Sequence, residues 1–427
     1  MLFLYKAQME ERKQNTTSLW TRDFTIITAG SVISMFGNAM SGFAMSLMVL
    51  DISDSTLLYA VYIAMYTVPQ LIVPVFSGAL LDRYSRKRTI YTLDFISAGL
   101  YFIMAAVLAT GWFSFPVFAG YCFLLGSIES AYMVAYESFY PLLISEGNYQ
   151  KAYSIQSILE TTSAVMVPVS AFLYKGIGIA PLLAGNGICF FIAAVMETRI
   201  RSEENYIETQ RSTRLEDAGR IRQMIADTRE GFEYLMSEKG LMAVAAFFAF
   251  IAVTGGVSNV ITLPYFKNTF DNGEYIYMLV WGCGLAGRAI GGGIHYKTVI
   301  PASKRYIIAL CLYILNALNE GFYLFFPVPV MMLMCFVIGV GGVTTYTIRI
   351  SATQSYVPDE KKGRFNGAFN MLFMIGALLG EMTAGFVSEA VSERTILMTA
   401  MLVEAALALV IIGGSKKHIE KIYNREN

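Results

Sequence analysis

The segment Gly78–Arg88, with the sequence GALLDRYSRKR, decides how the rest of the chain is read. It joins a glycine, an adjacent Asp82-Arg83 pair and a run of basic residues. Apolar runs flank it at 57–81 and 89–110. Each run is long enough to cross a bilayer, which takes about 20 mostly apolar residues. The segment is therefore predicted to be a short charged loop between two membrane-spanning helices.

The composition agrees with a protein embedded in lipid. Of the 427 residues, 55% are hydrophobic and 15% are charged, whereas soluble domains contain about 25% charged residues. The formal net charge is zero, so the charge balance does not favour a nucleic acid as partner. We therefore expect a polytopic protein whose partners are the lipid bilayer and a small molecule.

Further apolar runs of similar length bring the predicted number of spans to twelve. The predicted spans are 24–50, 57–81, 89–110, 116–136, 153–174, 177–196, 241–263, 275–295, 306–326, 328–348, 365–387 and 396–413. A polar stretch at 198–240 divides them six and six. The sequence thus predicts an all-α membrane protein of twelve transmembrane helices, with an N-terminal half at 1–197, a connecting loop at 198–240 and a C-terminal half at 241–427.

The connecting loop carries apolar residues at intervals that indicate an amphipathic helix on the membrane surface. These residues are Ile221, Ile225, Phe232, Tyr234 and Leu235. A simple tether between the halves is the alternative.

Lysine and arginine residues concentrate in alternate loops, from the Gly78–Arg88 loop to 349–364 and the tail after Lys416. Such loops face the cytoplasm in most membrane proteins. We therefore expect a multi-pass protein of the cytoplasmic (inner) cell membrane with both termini in the cytoplasm. Gly78 and Gly291 open similar loops in the two halves, which indicates a parallel internal repeat.

The Gly78–Arg88 loop resembles the signature G-x-x-x-D-R-x-G-R-[RK], found between helices 2 and 3 of the major facilitator superfamily. The residues that match it are Gly78, Asp82, Arg83, Arg86 and Lys87. Ser85 replaces the second glycine. The resemblance implies the major facilitator fold, with two six-helix pseudo-repeat halves and transport by alternating access. It makes the matching residues a candidate gating loop. Asp82 is expected to face the N-terminus of helix 11, where free N–H groups and the helix dipole favour a carboxylate.

The first predicted helix narrows the resemblance. It carries Gly30, Ser34, Gly37 and Asn38 and ends in DISDS at 51–55, similar to the branch that holds macrolide-efflux and siderophore-exporter proteins. This branch implies a secondary active transporter that exports lipophilic or amphipathic small molecules, of the drug or macrolide type, by exchange with protons and without a cofactor. The chain departs from many proton-coupled drug antiporters, because it lacks their helix 4 arginine and the glycines that flank the helix 5 proline, here Pro168.

Two other functions stay open at this point. The first is an importer or symporter of a specific metabolite on the same fold, and the second is a non-transporting membrane sensor. An enzyme is not expected, since only two histidines occur and none of the five cysteines forms a C-x-x-C pair. The same observation predicts no metal site and no catalytic residues. We expect a monomer.

Ionisable side chains inside spans are costly and are therefore functional candidates. Arg288 is predicted to be the one cation deep within a span, about 10 Å from the loop at 1.5 Å per residue. Glu129 and Glu160 lie at similar depth. Helices 5 and 8 face each other in the fold that the resemblance implies, so we expect Arg288 to pair with Glu160 or Glu129 in one conformation. A static buried ion pair is the alternative.

A further set of polar and aromatic residues is predicted to line the transport pathway. It comprises Asn38, Asp94, Tyr132, Tyr136, Asn186, Phe250, Asn316, Tyr346 and Glu381. The asparagines have an alternative role as hydrogen-bonding links between helices. The aromatic residues have an alternative role at the lipid surface.

Overall fold

The computed structural model describes residues 18–81, 84–145, 166–202, 229–298 and 300–425, together with 148, 151–152, 155–156, 159 and 163. At 75–81, 296–297 and 359 it describes the backbone alone. Within these residues the regular structure is helical and no strand occurs.

The helices of the N-terminal part follow one another with short connections. They are α1 (Arg22–Ser53), α2 (Thr56–Leu81), α3 (Arg86–Ala109), α4 (Phe115–Phe139), α5 (Met166–Ile177) and α6 (Ile179–Glu197). A 3-10 turn, Tyr140–Leu143, extends α4.

The C-terminal part repeats this arrangement and adds a short final helix. Its helices are α7 (Lys239–Thr269), α8 (Gly273–Lys297), α9 (Ala302–Phe322), α10 (Val328–Tyr356), α11 (Asp359–Val387), α12 (Glu393–Leu407) and α13 (Lys416–Tyr423). A π-helical segment, Ala408–Gly413, continues α12.

In the described part of the chain, ten helices are long and apolar enough to cross a membrane. They correspond to ten of the twelve predicted spans and confirm an all-α membrane protein. Of the other two, α8 has the necessary length, but Arg288, Glu274 and several glycines reduce its hydropathy. The fifth predicted span, 153–174, lies partly outside the described residues, and its described end belongs to the shorter apolar helix α5.

The chain forms two compact units. One comprises Met1–Met48 and Ile72–Ala218, and the other comprises Val49–Leu71 and Gly219–Asn427. The ends of α1 and α2 that adjoin their connecting turn therefore belong to the second unit. The division at 198–240 predicted from the sequence stays a prediction.

The hydrophobic core of the second unit is closed at one end by α13. Its residues Ile419, Ile422 and Tyr423 are fully buried among side chains of α7, α9 and α10. The hydroxyl groups of Tyr423 and Tyr313 are hydrogen-bonded at 3.0 Å. Burial raises the pKa of Tyr423 to about 12, so this phenol stays protonated at neutral pH. The amphipathic end of the chain is thus part of the core.

The helix α10 is longer than predicted. The sequence places 349–364 in a basic loop, but α10 continues to Tyr356 and Arg349 is buried within it. The expectation that Arg288 is the one deep cation is therefore wrong. Aromatic rings surround the Arg349 guanidinium, which offsets part of the cost of burying its charge.

The described end of the connecting loop is helical at 229–237 and packs against the start of α11. Arg364 Nη1 lies 2.6 Å from Glu230 Oε1, and the Lys361 ammonium lies 4.5 Å from the centre of the Tyr234 ring. Leu235 is buried in the core of the second unit. Ile221 and Ile225 lie outside the described residues, so the membrane-surface helix stays a prediction.

Glycines allow α8 and α10 to approach closely. A Cβ atom at Gly287 would clash with the carbonyl oxygen of Phe336, and one at Gly339 would clash with that of Gly284. By contrast, Gly282 and Gly342 have open space where a Cβ atom would lie. Only part of the glycine content therefore serves helix packing.

Candidate functional site

The basic residues of the candidate gating loop bind the ends of neighbouring helices. Arg86 Nη1 donates a hydrogen bond of 3.0 Å to the carbonyl oxygen of Ser138, near the end of α4. Lys87 Nζ donates to the carbonyls of Ile200 at 3.2 Å and Ser202 at 3.4 Å, just beyond α6. Free carbonyl groups and a negative partial charge make helix C-termini favourable sites for cations. Arg86 and Lys87 thus tie α3 to α4 and α6.

Ser85, which replaces the second glycine of the signature, caps α3. Its backbone is extended (φ −62°, ψ 117°), and its hydroxyl accepts a hydrogen bond of 3.1 Å from the Arg88 N–H group. Serine is a favourable N-cap residue, and this conformation needs no glycine. Of the other signature residues, Gly78 lies in α2, where the backbone alone is described, and Asp82 and Arg83 lie outside the described residues.

Two buried carboxyl groups meet inside the first unit. Asp94 of α3 and Glu197, the last residue of α6, are 1% and 0% exposed, and their side chains interact with each other. Gly30 of α1 packs against Glu197, since a Cβ atom there would lie 3.2 Å from Glu197 Oε1. Neither carboxyl forms an ion pair with a cation among the described residues. Asp94 was predicted as a pathway residue, but Glu197 was not.

Tyrosines of α4 extend this group. The side chain of Tyr132 interacts electrostatically with Asp94 and Glu197 and lies near Ser31 of α1. Its ring stacks on that of Tyr136, with the ring centres 5.8 Å apart. The structure therefore brings three predicted residues, Asp94, Tyr132 and Tyr136, into one polar cluster.

A second polar cluster in the first unit contains both predicted asparagines. The Asn186 Nδ2 atom donates to Ser41 Oγ at 2.7 Å and to Asn38 Oδ1 at 3.3 Å. The Tyr101 hydroxyl donates to the same Asn38 oxygen at 3.4 Å. Asn186 is fully buried against Gly37, where a Cβ atom would clash with its amide oxygen. These contacts are those of a link between α1, α3 and α6, and a role in the pathway stays a prediction.

Arg288 projects from an exposed position on α8. Arg288 interacts electrostatically with the carboxyl group of Glu320 of α9, in the same unit, and the Glu320 side chain lies near Ser258 of α7. Glu129 is partly buried in α4 of the first unit, and Glu160 lies outside the described residues. The predicted pairing of Arg288 with Glu129 or Glu160 therefore stays a prediction.

Two further buried carboxyl groups lie in the second unit. Glu381 of α11 accepts a hydrogen bond of 3.3 Å from Asn259 of α7. Glu404 of α12, which the sequence did not single out, accepts one from the Thr254 hydroxyl of α7. Both carboxyls thus bond to neutral side chains of α7 rather than to a described cation.

Arg349 lies among aromatic rings of the second unit. Its guanidinium carbon is 4.8 Å from the centre of the Phe248 ring, 4.7 Å from that of Phe369 and 5.3 Å from that of Tyr346. Cation–π contacts of this kind stabilise a desolvated guanidinium. Tyr346, a predicted pathway residue, is itself exposed on its other side.

The remaining predicted residues lie apart. Asn316 of α9 packs its amide against Gly341 of α10. Phe250 is partly buried in α7. Neither of them belongs to a carboxyl or cation cluster of the described residues.

Near the turn between α1 and α2, the second unit contains an ion pair. Asp51, at the end of α1, forms an ion pair with Lys267, near the end of α7. Beside it, Ala60 of α2 is buried among Val257, Ile261 and other apolar residues. A Cβ atom at Gly385 of α11 would clash with Ala60. The spacing of these residues along the chain gave no signal for this contact.

Among the described residues, no group of three or more His, Cys, Asp or Glu side chains has the arrangement of a metal site. The site residues are therefore buried carboxyls, arginines, asparagines and tyrosines within helices. Such groups can exchange protons or contact a solute.

The fold and these intramembrane groups define a polytopic helical membrane protein. The model of the Major Facilitator Superfamily matches residues 27–381, and the chain belongs to this superfamily of transporters. It is 26% identical over 317 residues to the MFS-type transporter YkuC of Bacillus subtilis (strain 168), which is uncharacterised; the match covers 70% of this chain and 71% of that protein.

Solved structures show the same fold. The nucleoside transporter NupG superposes with a TM-score of 0.65 at 12% identity, covering 92% of this chain and 98% of NupG. A point mutant of NupG gives a TM-score of 0.67 at 12% identity, with 93% and 98% covered. These matches confirm the predicted major facilitator fold.

Proposed function

We propose that the protein is a proton-coupled exporter of lipophilic or amphipathic small molecules that works by alternating access. The observation that carries this proposal is the set of buried carboxyl groups without a described cation. Asp94 and Glu197 contact each other, and Glu381 and Glu404 bond to neutral side chains. A carboxyl group buried without a cation is more stable when it is protonated. Such groups are suited to carry protons across a membrane.

The proposed substrate class rests on the side chains left for a solute. Several polar groups within the helices already bond inside their own unit, as Asn186 does to Ser41 and Asn259 to Glu381. Aromatic side chains such as Tyr132, Phe250 and Tyr346 are partly or fully accessible. Aromatic and methionine-rich surfaces adapt to varied apolar ligands. The likeness of α1 to the macrolide-efflux branch supports export.

Import or symport of a specific metabolite is the alternative. Arg349 and Arg288 supply two cations within helices, and such cations would recognise an anionic or polar solute. The fold shared with a nucleoside transporter makes nucleosides the first metabolite class to test.

The test is transport by the purified protein in proteoliposomes. One arm measures movement of lipophilic dyes and macrolides with and without an imposed proton gradient, and a second arm measures nucleoside movement. Gradient-dependent movement of the lipophilic panel supports the proposal. Movement of nucleosides alone, by correctly inserted protein, would establish the alternative instead.

The matched pair of variants for this experiment is Asp82→Asn and Asp271→Asn. Asp82 belongs to the candidate gating loop, whereas Asp271 is exposed in the turn between α7 and α8. We expect transport to fall by about tenfold or more in Asp82→Asn and to stay unchanged in Asp271→Asn. If the two substitutions changed transport equally, Asp82 would have no specific role in gating.

A further inference from the structure

The contact between Asp94 and Glu197 has a simple chemical requirement. An ionised carboxylate only accepts hydrogen bonds, so two carboxyl groups can be hydrogen-bonded to each other only if one holds a proton. No donor group among the described residues reaches Asp94 Oδ2 or either Glu197 oxygen. The pair is almost fully buried, and two unpaired negative charges this close would repel strongly in a medium of low polarity.

Among the described residues, no cation near the pair compensates its negative charge, so a bound proton is left to do so. From α1 the pair is faced by Gly30, which has no side chain, and from α4 by the phenol of Tyr132. The basic residues nearest to the pair along the chain are Arg88 of α3 and Arg199, just after α6, and neither interacts with the two carboxyl groups. Arg86 and Lys87 bind backbone carbonyl groups at the ends of α4 and α6.

The pair lies close to the loop end of its helices. Glu197 is the last residue of α6, and Asp94 is about two turns from Lys87, or about 10 Å along α3. Lys87 bonds to the chain just after Glu197, at Ile200 and Ser202. The same loop carries the candidate gating residues. A change in the position of α3 against α6 would therefore alter both the loop and the pair.

We propose that Asp94 and Glu197 are a proton-binding site, in which one proton is shared between the two carboxyl groups and is released when α3 and α6 move apart. In the closed arrangement the Asp94 carboxylic acid donates to the Glu197 carboxylate, or the reverse. On opening, the proton passes to water, and two hydrated carboxylates remain. The pair would be the coupling site of the proposed function. Its link to transport rests on the proposed function, whereas proton binding by the pair does not.

Proton binding is tested without any transport measurement. The infrared carbonyl band of protonated carboxyl groups is recorded from the purified protein across a pH titration. We expect the double variant Asp94→Asn/Glu197→Gln to lose a band component that the wild-type protein shows at neutral pH and loses as the pH rises. The control Glu389→Gln removes an exposed carboxyl group and should keep that component. An identical titration for the wild type and the double variant would overturn the proposal.

The coupling role is tested in proteoliposomes with a substrate that the wild type moves. We expect gradient-driven transport by Glu197→Gln to fall by about tenfold or more, while exchange of substrate without a gradient continues. Gradient-driven transport at the wild-type rate would overturn the coupling role. If the wild type moves no member of the panel, the proposed function fails, and the infrared titration still decides whether the pair binds a proton.

Discussion

The ammonium group of Lys267, near the end of α7, is paired with the carboxylate of Asp51, at the end of α1. The pair joins the turn between α1 and α2 to the rest of the second unit, beside the buried Ala60. A movement of the turn between α1 and α2 away from α7 would have to separate the two charges. The pair is therefore a candidate latch.

The latch predicts a measurable coupling between these two residues. Because both side chains are partly exposed, we expect a coupling energy of about 0.2–1 kcal/mol. It is measured by a double-mutant cycle of thermal unfolding with Asp51→Asn and Lys267→Gln. The exchanged pair Asp51→Lys/Lys267→Asp should recover part of the stability. Additive effects of the single substitutions would show that the two charges do not interact.

Gly339 and Gly342 of α10 form a matched pair for testing helix packing. A Cβ atom at Gly339 would clash with the Gly284 backbone, so Gly339→Ala is expected to destabilise the protein by about 1–3 kcal/mol. Gly342 has open space around it, and Gly342→Ala should be neutral or stabilising by up to about 1 kcal/mol. Thermal unfolding in detergent measures both. The reverse order would contradict the close approach of α8 and α10.

Arg349 is expected to tolerate loss of its charge better than loss of its volume. Arg349→Met fills the space between Phe248 and Phe369 without a charge to bury, so the stability should change by no more than about 1.5 kcal/mol. Arg349→Ala leaves a void and should cost about 2–4 kcal/mol. Unfolding measurements compare the two variants. A stable Arg349→Met protein that has lost transport would assign Arg349 to substrate or coupling, whereas strong destabilisation by methionine would show that the charge itself holds the fold.

The N-cap role of Ser85 predicts how much stability is lost when Ser85 is replaced by alanine or by the glycine of the family signature. Because the Ser85 hydroxyl caps α3, Ser85→Ala should cost about 1 kcal/mol, and Ser85→Gly only a few tenths of that amount. Hydrogen exchange of the backbone amides at 86–89 reports on this turn directly. Equal protection in all three proteins would mean that the cap contributes nothing.

Hydropathy was enough to predict ten of the spanning helices in the described part of the chain, because a membrane span requires about 20 apolar residues in one run. The predicted helix boundaries were wrong where tertiary contacts lowered the free-energy cost of burying a charged side chain. Arg349 reads as the start of a loop, yet Phe248 and Phe369, from α7 and α11, surround it. No window along the sequence contains both the arginine and these rings.

The candidate site was predicted in part for the same reason. Asp94 is conspicuous because it is a lone acid within an apolar run. Glu197 stands at the end of its run, where an acidic residue is unremarkable, and only the packing of α3, α6 and Gly30 shows that it is buried. The pair Asp51–Lys267 likewise joins residues far apart along the chain. The sequence identifies candidate site residues individually, whereas the contacts between them depend on the tertiary structure.

The docking of α13 has a practical meaning for anyone who manipulates this protein. Ile419, Ile422 and Tyr423 are buried, the Asn424 side chain accepts a hydrogen bond from the backbone of Tyr306, and Arg305 donates to the carbonyl of Arg425. Trimming the chain before Lys416 would strip an apolar surface bare, and such a surface invites aggregation and degradation by cellular proteases. An affinity tag or fluorescent fusion therefore belongs beyond this helix on a flexible spacer. If α13 itself were removed, a loss of transport could reflect degradation of the protein rather than a defect in the transport site.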